Sequence, residues 1–311
     1  MKDNRILIIA GPTAVGKTEY AIEAARRLDG EIVSADSMQL YRYMDIGSAK
    51  PTPEERQAVP HYLVDEIDPR QDFSVYEYQK RAKEAIRDIL SRGKVPVISG
   101  GTGLYIHSLI YEMDFSSRPE TGELRRELER KAAEEGPEAL HRLLEEKDPA
   151  AAERIHPNNV KKIIRALEIL GTGEEVQPFE QSFVPVKEYG CCLVGLTRDR
   201  EELYGRIDRR VDLLMEQGLT EEVRRLMEMG LTEEAISMKG IGYKEIFGFL
   251  KEEYDEAEAV RLIKRNTRRY AKRQLTWLRR YDRLHWVDLS RRTKEEAVEE
   301  ILRFWESESW L

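Results

Sequence analysis

Residues 11–18 read GPTAVGKT and match the pattern G-x-x-x-x-G-K-[ST]. The apolar run Ile6–Ala10 precedes them, and a segment with helical spacing, Glu19–Leu28, follows them. Glycines in this pattern let several backbone N–H groups turn inward at a helix N-terminus, where negative charge is favoured. The stretch therefore predicts a phosphate-binding loop between a strand and a helix, with an ordinary glycine turn as the alternative.

The predicted loop suits a diphosphate together with Mg²⁺. Lys17 adds a positive charge, and the Thr18 hydroxyl is an oxygen ligand of the kind that Mg²⁺ takes beside phosphate oxygens. The pattern does not by itself specify a nucleotide. The residues expected to contact the diphosphate are Gly11, Pro12, Thr13, Ala14, Val15, Gly16, Lys17 and Thr18.

Short apolar runs alternate with helical segments along much of the chain. Helical spacing covers Glu19–Leu28 and Val75–Ser91, which lie between successive strands. Such alternation predicts an α/β fold, a mostly parallel sheet of the P-loop NTPase kind with helices on both faces. The predicted strands are Ile6–Ala10, Glu31–Ala35, Val95–Ser99, Cys191–Leu196 and Leu284–Val287.

The middle of the chain breaks this alternation. From residue 116 to residue 173 there is no convincing strand, and dense charges at helical spacing are punctuated by prolines. We therefore predict an all-helical insertion over residues 116–189. The P-loop core would then comprise residues 1–115 and 190–311, including a set of C-terminal helices.

The composition indicates a globular protein with a packed core. Among 311 residues there are 51 Lys and Arg against 59 Asp and Glu, a formal net charge of −8 that excludes a uniformly basic nucleic-acid coat. No run approaches the roughly 20 apolar residues that a membrane span needs. The two cysteines are adjacent and build neither a disulfide framework nor a zinc site. We expect a soluble, cytoplasmic monomer with no membrane partner.

Two further segments follow predicted strands and should reach the same edge of the sheet. Asp36 follows Glu31–Ala35, so we expect it near the phosphates, with a helix cap or turn residue as the alternative. The glycine turn Gly100–Gly103 follows Val95–Ser99 and would bring Gly101 and Thr102 to the diphosphate. No aspartate ends that strand, which weakens an ATPase or kinase interpretation.

A strongly basic helix is predicted over Arg261–Arg280, which holds nine Lys or Arg and no Asp or Glu. At 100° per residue all nine fall within one half-circle. A solvated face would normally mix signs, so this face favours contact with nucleic-acid phosphates over a merely soluble helix. Arg206 and Arg210 share one face of another helix, where salt-bridged surface residues are the plainer interpretation.

These stretches together resemble the bacterial tRNA dimethylallyltransferase family, also called tRNA isopentenyltransferases. The likeness covers nearly the whole chain in order, and no eukaryotic-type C-terminal zinc finger is present. It implies transfer of a dimethylallyl group from dimethylallyl diphosphate to N6 of adenosine 37, immediately 3′ of the tRNA anticodon. The segments that carry it are Gly11–Thr18, Asp36–Tyr41, Met44–Pro51, Pro60–His61, Gly100–Tyr105, Ile155–Asn158, Arg165–Glu168, Arg206–Arg210, Gly240–Glu245 and Asn266–Arg279.

The resemblance also implies roles for individual residues. Thr13 would lie close to the bridging oxygen of the diphosphate, and Arg206 would add a cationic donor, with Arg210 as its rival. Asp36 would accept the proton from the adenine amine, while Ser37, Met38 and Gln39 read the edge of the base. The insertion and the basic helix would grip opposite parts of the anticodon arm. The basic residues expected to contact tRNA are Lys161, Lys162, Arg165, Lys244, Arg265, Arg268, Arg269, Lys272 and Arg273.

Two other functions are compatible with the loop. The first is a small-molecule or nucleotide kinase in which Asp36 orients a hydroxyl acceptor and the insertion serves as a lid. The basic face of Arg261–Arg280, which such a kinase does not need, argues against it. The second is a non-catalytic RNA-binding module that keeps a diphosphate site as a switch.

Overall fold

The computed structural model describes residues 4–113, 122–178 and 183–307. The chain divides into two compact units. One comprises the chain up to Ile110 and from Val186 onward, and the other lies between Tyr111 and Pro185. No helix in the described ranges is both long and apolar enough to cross a membrane.

The first unit is built on a parallel sheet in the spatial order β3-β2-β4-β1-β5-β6. This arrangement confirms the predicted α/β class. All five predicted strands are present within two residues at each end; β3 was not predicted because two residues are too short to show a pattern. The strands are β1 Arg5–Ala10, β2 Gly30–Ala35, β3 His61–Tyr62, β4 Val95–Gly100, β5 Gly190–Thr197 and β6 His285–Asp288.

The helices of the first unit connect and flank these strands. Several begin at side chains that accept the first free N–H groups: Ser74 caps α3, and Asp255 caps α12. The helices are α1 Lys17–Arg27, α2 Pro53–Ala58, α3 Val75–Ser91, α4 Gly103–Ile110, α9 Arg200–Glu216, α10 Leu219–Glu228, α11 Tyr243–Leu250, α12 Glu256–Leu278 and α13 Lys294–Glu306.

The second unit is helical in its described part. It contains α5 Glu123–Glu135, α6 Pro137–Lys147, α7 Pro149–Arg154 and α8 Val160–Gly171. These helices pack around a hydrophobic core of their own that includes Leu128, Leu140, Leu144, Ile163 and Leu167. The buried Glu168 carboxylate of this unit accepts two hydrogen bonds of 2.8 Å from Arg125.

The central strands are buried on both faces, which explains why their sequences are continuous apolar runs. In β1, Leu7 lies opposite Val97 of β4 and Cys192 of β5. Cys191 and Cys192 are both buried, and burial raises the pKa of each thiol to about 12. Because β1, β2 and β4 run parallel, the segments that follow Ala10, Ala35 and Gly100 emerge at one edge of the sheet.

Candidate functional site

A cavity of about 910 Å³ opens at this edge of the sheet, and the first unit alone forms it. It brings together residues that are far apart in the chain. The residues that matter most for its chemistry are Thr13, Lys17, Thr18, Asp36, Arg210 and Arg273. Anion-binding and acid–base groups therefore share one enclosure.

The loop after β1 has the backbone geometry of an anion nest. Ala14 and Gly16 have φ angles of 63° and 115°, and α1 begins at the next residue, Lys17. The Lys17 ammonium donates to the Pro12 carbonyl at 2.9 Å. In the first turn of α1 the Glu19 N–H donates to the Gly16 carbonyl at 3.2 Å, and the N–H groups of Lys17 and Thr18 donate to no acceptor among the described residues and are left for a ligand.

Two arginines outside the loop hold its backbone in place. Arg206 Nε donates to the Ala14 carbonyl at 2.9 Å, and Arg198 Nε donates to the Val15 carbonyl at 3.0 Å. Arg206 does not line the cavity, whereas Arg210, one turn further along α9, does. The two rivals from the sequence thus have different surroundings.

Burial and neighbouring charges shift the pKa values of two cations in the cavity, Lys17 and Arg210. Burial lowers the pKa of Lys17 to about 8, the negative charge of Asp36 opposes that shift, and Arg210 adds to it. Burial also lowers the pKa of the Arg210 guanidinium, again opposed by Asp36. Lys17 and Arg210 are thus two desolvated cations that line the cavity, where a bound anion would restore favourable electrostatics.

Asp36 is held at the end of β2 by its own turn. Its Oδ1 accepts from the Met38 N–H at 2.9 Å, and Oδ2 accepts no hydrogen bond from the described residues. The neighbouring Ser37 N–H donates to Thr102 Oγ1 at 3.1 Å, and the Thr102 N–H donates to the Ala35 carbonyl at 3.1 Å. The glycine turn after β4 therefore supports the Asp36 turn, and one carboxylate oxygen remains for a substrate.

Gln39 lies beside Asp36 and is fixed at both ends of its amide. Its Oε1 accepts from Ser34 Oγ at 3.1 Å, and its Nε2 donates to the Ala49 carbonyl at 3.3 Å. Ser37, Met38 and Gln39 all line the cavity. Together they form a wall next to the free carboxylate oxygen, to which Ser37 and Gln39 contribute polar side chains.

Another wall, residues 45–48, depends on a buried carboxylate that the sequence analysis missed. Glu222 of α10 is 1% exposed and accepts from the N–H groups of Asp45, Ile46 and Gly47 at 2.8–3.0 Å. Tyr243 also donates to Glu222, at 2.8 Å. An acidic residue on an amphipathic helix gives no sign of such a role.

Acidic side chains of a neighbouring helix neutralise part of the positive charge of the basic helix α12. Arg268 pairs with Asp208 of α9 at 2.6 Å, and Lys264 pairs with Asp212 at 2.5 Å. The acidic partners come from another helix, which a pattern within α12 does not reveal. Arg269, Lys272 and Arg273 are exposed, and of these Arg273 lines the cavity.

The remaining predicted site residues lie elsewhere. Lys161, Lys162 and Arg165 belong to α8 of the second unit, where the two lysines are exposed and Arg165 lies 3.6 Å from Glu168. Lys244 and Arg265 belong to α11 and α12 of the first unit and do not line the cavity. The loop and turn residues that do not line it are Gly11, Pro12, Val15, Gly101 and Thr102.

The donor set at Thr18 fits a magnesium ion that is bound mainly by phosphate oxygens and water. The Thr18 hydroxyl lines the cavity and has no hydrogen-bond partner in the described ranges. Mg²⁺ commonly takes one or two protein oxygens beside substrate phosphates and keeps several waters. In those ranges no group of three or more His, Cys, Asp or Glu could hold a metal without such help.

Comparison with known proteins identifies the family. The model of the IPP transferase family matches residues 39–281. The chain belongs to the IPP transferase family. This result confirms the resemblance drawn from the motifs. The relatives include a protein named tRNA dimethylallyltransferase from Alkaliphilus oremlandii, 54% identical over 92% of both chains, and one of the same name from Acetivibrio thermocellus, 48% identical over 97% of both.

Solved structures of this family share the fold over nearly the full chain. The full-length tRNA isopentenylpyrophosphate transferase from Bacillus halodurans is 42% identical, with a TM-score of 0.74, over 98% of this chain and 96% of that one. A eukaryotic dimethylallyltransferase acting on tRNA is 28% identical, with a TM-score of 0.77, over 91% of this chain and 73% of that one.

Proposed function

We propose that the protein transfers a dimethylallyl group from dimethylallyl diphosphate to N6 of adenosine 37 in tRNA. The products are diphosphate and N6-dimethylallyladenosine. One observation carries the proposal: the cavity that holds Lys17 and Arg210 beside the phosphate loop also holds Asp36, whose Oδ2 accepts no hydrogen bond from the described residues. A site for an anionic leaving group thus adjoins a site for a base, and relatives of this chain are named tRNA dimethylallyltransferase.

The loop and its cations stabilise the leaving group. As the bond between C1 of the allyl group and the bridging oxygen breaks, the electron pair departs with the diphosphate and the positive charge spreads over the allyl carbons. The side chains of Lys17 and Arg210 and the N–H groups of Lys17 and Thr18 would surround the growing negative charge. Thr13 lines the cavity from the loop, where its hydroxyl would meet the bridging oxygen.

A magnesium ion at the Thr18 hydroxyl, when bound, neutralises part of the diphosphate charge. Arg206 acts on the diphosphate indirectly, because its hydrogen bond to the Ala14 carbonyl holds the phosphate loop in its conformation. Arg210 is therefore the better candidate for direct contact with the diphosphate. Gly101 and Thr102 support the adjoining turn.

Asp36 receives the proton. The lone pair of N6 is delocalised into the adenine ring, so the amine becomes a good nucleophile only as its proton leaves. As N6 bonds to C1, that proton passes to the free Oδ2, while the Met38 N–H holds Oδ1 and fixes the carboxylate plane. Nitrogen keeps its neutral charge throughout, and no further reactant is needed.

The target base must leave its stack to reach this site. Ser37, Met38 and Gln39 adjoin Asp36 and would bond to its edge. Arg269, Lys272 and Arg273 on α12 would contact phosphates of the anticodon arm, together with Lys161 and Lys162 of the second unit. The cavity is formed by one chain, so a monomer suffices for the reaction, and tRNA places that reaction in the cytoplasm.

Parallel incubations test the proposal. Purified protein, Mg²⁺ and unmodified tRNA are combined either with labelled dimethylallyl diphosphate or with γ-labelled ATP, and nucleosides are separated by mass. We expect N6-dimethylallyladenosine from the first mixture and no label transfer from the second. Phosphoryl transfer from ATP without prenylation would establish the kinase, and tRNA binding without either reaction would establish the RNA-binding module.

A further inference from the structure

The side chain of Gln274 connects the two turns that build the site. Gln274 lies on the inner face of α12 and is only 5% exposed. Its Oε1 accepts from the Thr13 N–H at 2.9 Å, and its Nε2 donates to the Gly101 carbonyl at 2.9 Å. One amide therefore links the phosphate loop to the glycine turn, and both of its polar ends are satisfied.

The glycine turn is shaped to admit this amide. A Cβ at Gly101 would lie 2.3 Å from Gln274 Nε2 and 2.8 Å from the Gly11 carbonyl oxygen. A Cβ at Gly103 would lie 2.4 Å from the ring of Trp277, three residues further along α12. The absence of side chains at both positions is thus needed for α12 to lie against the turn.

The link has a direct bearing on Thr13. Because the Thr13 N–H is taken by Gln274, this amide points at α12 and not at a ligand, and the orientation of the whole residue follows from that bond. The Thr13 side chain lines the cavity. The same Gln274 amide sets the position of Gly101, whose neighbour Thr102 holds the Asp36 turn through Ser37.

We propose that Gln274 is a positioning residue for prenyl transfer, which fixes the phosphate loop and the Asp36 turn relative to each other. The leaving group and the base must be correctly spaced for the C1–O bond to break as the N6–C1 bond forms. Small displacements of such groups lower kcat without altering substrate binding in proportion. This inference rests on the proposed function and adds a residue that contacts neither substrate.

Three variants test it. Gln274→Met keeps the size of the side chain and loses both hydrogen bonds, whereas Gln274→Glu keeps an acceptor for the Thr13 N–H and loses the donor to Gly101. Asn266→Leu is the matched control, since Asn266 is an amide about 12 Å away along the same helix that donates to Glu245 at 2.7 Å. The readouts are kcat, KM for tRNA and KM for dimethylallyl diphosphate.

We expect Gln274→Met to lower kcat by about 10- to 100-fold, with KM for tRNA within twofold of wild type. Gln274→Glu should fall between Gln274→Met and wild type, and Asn266→Leu should keep kcat within twofold. An unchanged kcat in Gln274→Met, or an equal loss in Asn266→Leu, would overturn the inference alone. A wild-type protein that transfers no prenyl group would overturn the proposed function and this inference with it.

Discussion

The carboxylate of Glu222 accepts a 2.8 Å hydrogen bond from the hydroxyl of Tyr243, and the same hydroxyl accepts from the Ser48 N–H at 3.1 Å. The two residues come from α10 and α11 and together bind four consecutive backbone N–H groups, those of residues 45–48. A Cβ at Gly47 would lie 2.5 Å from the Tyr243 ring. Residues 45–48, which form one wall of the cavity, are therefore held in place by a buried carboxylate and the tyrosine bonded to it.

Removing this anion should destabilise the first unit. Glu222→Gln replaces a carboxylate oxygen with an amide that faces donors, so we expect a free energy of unfolding lower by about 2–4 kcal/mol. Tyr243→Phe loses one donor and should cost about 1–2 kcal/mol. Urea denaturation followed by circular dichroism measures both. Equal stability of Glu222→Gln and wild type would show that the N–H groups find other partners.

The pKa of Lys17 predicts a pH dependence of diphosphate binding. Burial lowers that pKa to about 8, so the ammonium is present below pH 8 and is lost above it. We expect the affinity for dimethylallyl diphosphate to fall by about tenfold between pH 7 and pH 9. Calorimetry measures it. Lys17→Arg is the control, because a guanidinium stays charged over this range and its weaker binding should be flat with pH.

Replacement of Asp36 should separate catalysis from binding. Asp36→Asn keeps an oxygen for the Met38 N–H but accepts no proton, so we expect kcat to fall by about 10²- to 10⁴-fold with tRNA affinity unchanged. Single-turnover assays and filter binding provide the two numbers. Full activity of Asp36→Asn would remove Asp36 from the mechanism.

Replacement of Arg206 and of Arg210, both on α9, should have different effects on catalysis and stability. Arg210→Met removes a cation from the cavity, and we expect kcat/KM for dimethylallyl diphosphate to fall by about 10²-fold. Arg206→Met removes a bond to the Ala14 carbonyl, so it should mainly lower the free energy of unfolding, by about 1 kcal/mol. The reverse order of catalytic losses would assign the diphosphate to Arg206.

The basic residues of α12 should also fall into two groups according to their effect on tRNA binding. Arg269→Gln and Lys272→Gln remove exposed cations, so each should weaken tRNA binding and reduce the slope of log K against log salt by about one. Lys264→Gln removes a cation that is paired with Asp212, and it should change that slope little. Salt titrations of tRNA binding measure the slope. A flat titration of the wild-type protein would contradict the phosphate contacts.

The sequence predicted those features that depend on neighbouring residues. Helix α3 was predicted to its exact ends from the helical spacing of Val75–Ser91, and in the structure Ser74 and Glu77 form a capping box at its start. The order of elements around GPTAVGKT placed Asp36 at the edge of the sheet where the loop lies. The four central strands β1, β2, β4 and β5 were recognised because buried parallel strands are largely continuous apolar runs.

What escaped prediction depends on contacts between distant segments. Gln274 and Glu222 are polar residues on amphipathic helices, and only the packing of α10 and α12 shows that their side chains are buried against the site. The ion pairs of Arg268 and Lys264 with α9 were hidden for the same reason. The periodic pattern of a helix predicts the face on which a residue lies, but it does not predict which other segment packs against that face.

The burial of Cys191 and Cys192 has a practical consequence for spectroscopy. Both thiols lie within β5, shielded from solvent and with pKa values near 12, so maleimide reagents will react with them slowly in the folded protein. The chain contains only these two cysteines. A single cysteine introduced at an exposed position of α12 would accept a fluorophore selectively, and the arrival of tRNA could then be timed by stopped-flow on an otherwise natural sequence.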